Sequence, residues 1–239
     1  MTAQNDLGQP IGESVVGWQA PPRPSRAIMR GRFCRVEPID ERDAAALHAA
    51  NSLHADARSW TYLPYGPFAT ADEYSDWLRR TCLGADPMFF TIVDANGRAA
   101  GVAAYLRIEP ASGSIEVGHL HFSPLLQRTP AATEAMYLMM KGAFDLGYRR
   151  YEWKCDALNA PSRAAAQRLG LSFEGIFRQA TVYKGRNRDT AWYAATDKDW
   201  RALAHAFETW LAASNFDATG RQRVRLSELT QPLLVNRGH

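Results

Sequence analysis

Three cysteines in 239 residues are few, and Cys34, Cys82 and Cys155 stand far apart with no Cys-x-x-Cys pair. That excludes a disulfide framework or a zinc ribbon and fits reduced, buried thiols in a cytoplasmic protein. No apolar run approaches the roughly 18 residues of a membrane span, so no membrane partner is expected. The N-terminus is polar and proline-containing and lacks the apolar stretch of a signal peptide. A formal net charge of +3 is too small to argue for nucleic acid. The small arginine clusters, Arg23–Arg35, Arg178–Arg188 and Arg221–Arg225, read as solvated surface. No internal repeat is present.

What is present is enough for one domain. At 46% hydrophobic and 22% charged, the chain can bury a sizeable core with a tail at each end. Residues 1–30 carry Gly8, Pro10, Gly12, Gly17 and Pro21-Pro22-Arg23-Pro24. They read as an arm that lies on the surface or wraps a neighbour to form a homodimer, with Val15, Val16 and Trp18 as anchors. Residues 31–213 read as the folded domain, and residues 214–239 as a polar, basic, weakly ordered tail.

The most informative stretch is Phe122–Gly147. A strand ends at Phe122, Ser123-Pro124 breaks it, and Gln127-Arg128-Thr129 leads into a helix. Thr129 is a good N-cap and Pro130 suits the first turn. Ala132, Ala135, Met136, Met139, Met140, Ala143 and Phe144 recur at helical spacing, and Gly147 reads as the C-cap. A strand that delivers a loop onto a helix N-terminus gathers free N–H groups at a positive dipole end, which suits phosphate.

The rest of the chain surrounds this joint. Phe33–Ile39 predicts a strand, and Asp40 caps a helix to about Asn51. His54–Tyr65 predicts a short helix and an irregular loop. Thr70-Ala71-Asp72-Glu73 has the form of a capping box. Met88–Val93 and Arg98–Ile108 predict a hairpin about Asp94–Gly97. Ser114–Phe122 predicts a third strand, and Arg150–Asp156 a strand after the helix. Asn159 caps a helix with Pro161 in its first turn, and Gly170 ends it. Phe173–Tyr183 and Arg188–Thr196 predict strands about a Lys184–Asn187 turn. Asp197 caps a last helix, with Trp200, Leu203, Ala204, Phe207 and Trp210 as its apolar stripe. A helix between the strands ending at Phe122 and starting at Arg150 implies a parallel pair, while the strands before them form an antiparallel meander. The result is a mixed α/β sheet with a switch between its halves, a favoured place for a ligand crevice.

Four pieces then line up: Ile115-Glu116-Val117-Gly118-His119; Gln127-Arg128 before Ala132-Thr133-Glu134-Ala135; Asn159-Ala160-Pro161-Ser162 before Arg168-Leu169-Gly170-Leu171; and Phe173-Glu174-Gly175-Ile176-Phe177-Arg178. Tyr183-Lys184-Gly185-Arg186 and Asp189 continue the pattern. From about Arg32 to Trp200 the ordered set resembles the GNAT acetyltransferases, in particular the RimJ/RimL-type branch that includes ribosomal-protein N-terminal acetyltransferases. The resemblance implies the GNAT acyl-CoA N-acyltransferase fold, with a central, mostly antiparallel sheet and a parallel pair at the cofactor site. It implies transfer of the acetyl group of acetyl-CoA to a primary amine, either a protein N-terminal α-amine or a small molecule, by direct attack in a ternary complex. The alternative is a non-catalytic module of the same fold.

By the same resemblance Leu120, His121 and Phe122 face the pantetheine. Gln127, Arg128, Thr129, Ala131, Ala132 and Thr133 surround the pyrophosphate, Asn159 bonds the coenzyme arm, and Ser162 is the acid for the leaving thiolate. The sequence departs from the family at two usual glycines, where it has Arg128 and Pro130, and at Thr181, where some members carry a glutamate proposed as base. Glycine lets a backbone approach phosphate closely, and proline removes one donor. The Arg128 guanidinium is the expected replacement. The reaction needs a base, an oxyanion donor and an acid. Glu116 is the first candidate base, with a structural carboxylate as its other reading, and His119 the second. Tyr183 is the second candidate acid. Trp60, Tyr62 and Tyr65 are expected to line the acceptor cleft or plug the core. His119 and His121 share a strand face but lack a third ligand, so no metal is expected.

Overall fold

The computed structural model describes residues 3–238. The arm opens with a two-stranded ribbon, β1 (Ala3–Gln4) and β2 (Pro10–Ile11), and runs extended to β3 (Met29–Arg30). Val15 and Val16 do not anchor it, being 46% and 93% exposed. Trp18 lies beside Gly113, but the buried arm residues are Pro21 and Pro24. Proline loses almost no side-chain entropy on docking, which favours it as an anchor. Between the prolines Arg23 donates to the Ile108 carbonyl and pairs with Asp86; two residues past Pro24, Arg26 donates to the carbonyls of Leu83 and Gly84. The arm thus clamps its own chain.

β4 (Cys34–Pro38) comes next. Asp40 caps a single 3₁₀ turn, Glu41–Asp43, that leads into α1 (Ala44–Asn51). α2 (Ala71–Thr81) starts at Thr70, whose hydroxyl accepts from Glu73 N. The reciprocal bond differs from a capping box, because Glu73 accepts from Ala69 N and not from Thr70 N. The meander is β5 (Met88–Asp94), β6 (Ala99–Glu109) and β7 (Ser114–Phe122). α3 (Pro130–Asp145) has Thr129 as its cap, accepting from Ala132 N at 3.3 Å, and ends at Gly147 with φ 97°. β8 (Arg150–Asp156) and α4 (Ala160–Arg168) follow, the latter capped by Asn159. β9 (Ser172–Tyr183) and β10 (Arg186–Thr196) are joined by Lys184-Gly185 alone, at φ 47° and 70°. That two-residue turn is tighter than the expected Lys184–Asn187, and its left-handed pair matches strand twist. α5 (Asp197–Leu211) is capped by Thr196, one residue before the expected Asp197, with Asp199 Oδ2 accepting from Thr196 N at 2.8 Å.

β3 to β10 form one sheet in the order β3-β4-β5-β6-β7-β8-β10-β9, antiparallel throughout except for β7 and β8. One core lies between the sheet and α3, α4 and α5, and a second between the opposite face and α1, α2 and the Trp60–Phe68 loop. Glu134 of α3 fastens helix to sheet. Its buried carboxylate accepts from the backbone N–H groups of Arg32, Phe33 and Cys34 at 2.8, 2.6 and 2.9 Å. Gly31 is required there, since a Cβ would meet that carboxylate at 2.3 Å.

The chain after Ser214 is not a loose tail. It bridges Phe216 to Gln222, forms α6 (Leu226–Thr230) with Leu226 fully buried, and ends with Phe173 N donating to the Asn236 carbonyl. Its polar composition hides this order, because the fixing contacts are tertiary.

Candidate active site

The parallel pair is short. β7 and β8 are in register from Ser114 with Arg150 to Val117 with Trp153, and no further. Beyond that, β8 stays on β10 and β7 stays on β6, so the two strands part. β7 also holds one residue more than β6 between the pairs Gly118–Ala104 and His121–Val102, with His119 at φ 51°. Such a bulge exchanges the faces of every residue after it. Ile115 and Val117 belong to the core under α3, whereas His119 stacks on Tyr65 and His121 on Trp60 in the opposite layer.

Two cavities meet at the parting, and Trp153 lines both. The larger, about 820 Å³, lies between the start of α3, the α4 face, Trp210 of α5 and the C-terminal segment. Phe122, Arg128, Thr129, Ala132 and Thr133 line it. The smaller, about 230 Å³, holds Glu116, His119, Leu120, Asn159 and Ser162. His121, Gln127, Ala131 and Tyr183 line neither. The bulge turns the His121 side chain away, so that Trp60 covers it at 3.7 Å and Nε2 sits 3.1 Å from Ser59 Oγ. Gln127 folds back and donates to the Phe122 carbonyl at 2.7 Å, tying the loop to the strand end. Ala131 is buried in the core. Tyr183 donates to Asp156 Oδ2 at 2.8 Å, and burial with that bond pushes its hydroxyl up to about 12. Of the three loop aromatics, Tyr62 faces the smaller cavity, while Trp60 and Tyr65 pack beneath the histidines.

Arg128 takes the left-handed backbone of a glycine, φ 60°. Among the described residues no acceptor engages its guanidinium, which stands free at the mouth of the larger cavity beside the α3 N-terminus. Across the cavity Arg168 donates to Thr133 Oγ1 at 3.1 Å and lies over the Trp210 ring, and burial pushes its guanidinium down from its ordinary value. Cations at a helix start, in a cavity walled by Phe122, Met136 and Trp153, suit the phosphates and the apolar arm of a coenzyme A.

In the smaller cavity Glu116 is 3% exposed. Its Oε2 accepts from Arg107 at 2.8 Å and from Lys154 at 2.9 Å. Lys154 also pairs with Glu152 at 2.8 Å and lies 3.7 Å over the Trp192 ring. Burial pushes the Glu116 carboxyl up from its ordinary value, and the two cations only partly reverse this. His119 Nδ1 is 3.1 Å from the Tyr65 hydroxyl, and burial with the nearby Arg107 charge pushes the ring down to about 4. It is therefore neutral at pH 7. Trp153 Nε1 donates to Ser162 Oγ at 3.0 Å, and Asn159 Oδ1 accepts from Ser162 N at 3.1 Å. Cys155 also lines this cavity, with its thiol pushed up by burial. Trp153 and Lys154 are missing from the sequence-derived set. The alternation of Arg150, Glu152, Lys154 and Asp156 with Tyr151, Trp153 and Cys155 is the signal that would have found them. Among the described residues no cluster of three His, Cys, Asp or Glu side chains is placed to hold a metal ion.

A mixed sheet that opens at its parallel pair, with a phosphate-suited cavity on one side and a carboxylate, an imidazole and a hydroxyl on the other, is the arrangement an acyltransferase needs. The Acetyltransferase (GNAT) domain family matches residues 34–172, and the chain belongs to this family. It is similar to a GCN5-related N-acetyltransferase from Brucella melitensis, at 47% identity over 90% of this chain and 98% of that one, with a TM-score of 0.87. A structure from Chromobacterium violaceum, described as a probable acetyltransferase of the GNAT family, is 41% identical over 81% of this chain and 98% of that one, at a TM-score of 0.76. The coenzyme A complex of a ribosomal L7/L12 alpha-N-protein acetyltransferase is more distant, at 21% identity over 72% and 99% and a TM-score of 0.56, and shares the fold. No curated protein matches. The protein is an acetyltransferase of the GNAT superfamily, and the RimJ/RimL-type proteins are distant neighbours within it.

Proposed function

We propose that the protein transfers the acetyl group of acetyl-CoA to a primary amine, by direct attack of the amine in a ternary complex. The acceptor is a protein N-terminal α-amine or a small-molecule amine. The observation that carries this reading is the pair of cavities meeting at Trp153 where β7 and β8 part. Bound acetyl-CoA supplies the activated acetyl group. Arg128, Thr129 and the N–H groups at the start of α3 hold its pyrophosphate, and Phe122, Leu120 and Asn159 flank its arm. The edge of β7 beyond Val117, free of a β8 partner, offers N–H donors to the reacting carbonyl oxygen.

Glu116 takes the proton from the acceptor ammonium, through a water, because its raised carboxyl lies closer to the operating pH than that of His119. His119 lines the acceptor wall as a neutral ring. Ser162 accepts from the Trp153 indole, and its hydroxyl, which also meets the Cys155 thiol, gives its proton to the departing thiolate. The buried, poorly ionised thiol of Cys155 is unsuited to take up the acetyl group itself, which favours direct attack over an acetyl-enzyme. The setting is the cytoplasm, in keeping with three unpaired cysteines.

The test is calorimetry with acetyl-CoA followed by turnover on a panel of primary amines, N-terminal peptides and matched alcohols. Acetyl-CoA binding with turnover confined to amines supports the reading. Turnover of the alcohols alone would overturn it.

A further inference from the structure

The family match ends at residue 172, yet one wall of the larger cavity comes from much later in the chain. Arg221, Arg223 and Arg225 all line that cavity. They stand at every second residue of the irregular segment that leads into α6, and the cavity is what brings them to one side. Read from sequence, the cluster is solvated surface. The structure gives it a cavity to face and a rigid mount. Asn215, 6% exposed, accepts from Val224 N at 2.8 Å and donates to the carbonyls of Trp210 and Val224. Arg223 N donates to the Asn215 carbonyl at 2.7 Å, and Trp210 Nε1 donates to Gln222 Oε1 at 2.8 Å. The backbone is thus fixed while the guanidiniums stay exposed. Among the described residues Arg225 has Glu228 at 4.0 Å and Arg223 feels the charge of Asp217, while neither Arg221 nor Arg223 forms an ion pair. Holding three cations on a backbone that is already fixed costs little further entropy when an anion binds.

Direction follows from Trp153. It lines both cavities and so marks the thioester end, and none of the three arginines lines the smaller cavity. They belong to the far end, past the α3 N-terminus. We propose that Arg221, Arg223 and Arg225 form a clamp for the 3′-phosphate of coenzyme A, so that the C-terminal segment makes this enzyme selective for coenzyme A over its 3′-dephospho form. This rests on the reading that the larger cavity takes acetyl-CoA. A phosphate monoester is the densest charge on that ligand and the natural partner of planar guanidinium groups.

The test is calorimetry of coenzyme A and 3′-dephospho-coenzyme A with the full chain and with the R221A/R223A/R225A variant, alongside the acetyl-transfer assay. The wild type is expected to bind coenzyme A ten- to a hundredfold more tightly than the dephospho form. The variant should bind both alike, at the dephospho level. The triple lysine variant should recover part of the preference, which keeps the test valid if the alanine variant folds poorly. A wild type that binds both forms equally, or an alanine variant that keeps the preference, would overturn the clamp while leaving the acetyltransferase reading in place. A wild type that binds neither form and transfers no acetyl group would overturn both.

Discussion

The indole N–H of Trp153 donates to the hydroxyl of Ser162 across 3.0 Å, joining the strand that leaves the parallel pair to the helix beside it. The bond makes the serine an acceptor from the indole, and its own proton is shared only with the Cys155 thiol among the described residues. Ser162→Ala is therefore expected to lower kcat while acetyl-CoA affinity changes little, since a proton given only to the departing thiolate helps the transition state alone. Trp153→Phe, which releases the hydroxyl without removing it, should fall between wild type and Ser162→Ala. Steady-state kinetics with calorimetry checks both. An unchanged kcat in Ser162→Ala would remove the serine from the mechanism.

Arg128 combines a left-handed backbone with a free guanidinium, and substitution separates the two. Arg128→Gly should raise Tm slightly, since a left-handed non-glycine residue stores on the order of 1 kcal/mol. The same change should weaken acetyl-CoA binding by about 1.5–3 kcal/mol, the scale of a hydrogen bond to a charged group. Arg128→Ala should weaken binding equally and gain no stability. Wild-type affinity in both variants would leave the phosphates to the helix-start N–H groups alone.

Glu134 accepts three backbone N–H groups at the root of β4. Glu134→Ala leaves those donors without a partner and is expected to destabilise the fold by roughly 3–5 kcal/mol. Gly31→Ala should also destabilise it, through the contact at 2.3 Å. Denaturant midpoints measure both, and a loss below about 1 kcal/mol for Glu134→Ala would show that water replaces the carboxylate.

Acid should unfold the histidine layer. Burial pushes His119 down to about 4 and His121 down to about 3. Between those values and the ordinary value of 6.5 the unfolded chain binds more protons than the native one. Stability then rises with pH across this window and is lost as pH falls below about 6.5. At pH 5 the loss is up to about 2 kcal/mol for each ring. Glu116 acts in the opposite sense, because its raised carboxyl favours the native state on the acid side. His121→Gln should flatten the fall in urea midpoint between pH 7 and pH 5, and an unaltered slope would contradict the assignment.

The sheet and the cofactor joint were legible because their signals are local. Thr129, Pro130 and Gly147 bound α3, and Asn159, Pro161 and Gly170 bound α4, each through its own backbone preference. The bulge at His119 left a trace that went unread: Gly118 directly precedes it, and the apolar positions change phase from Ile115 and Val117 to Leu120 and Phe122. The bulge decides where His121 points. The C-terminal segment was hidden for another reason: its order depends on Asn215, Trp210 and Gln222 meeting across the fold, and composition carries no trace of that.

Direct attack is the central claim, and initial rates measured with acetyl-CoA and the acceptor amine both varied test it most directly. The account predicts lines that intersect in double-reciprocal form, as a ternary complex requires, and no acetylated protein when acetyl-CoA is supplied without acceptor. Parallel lines, with an acetyl group recovered on Cys155, would contradict it.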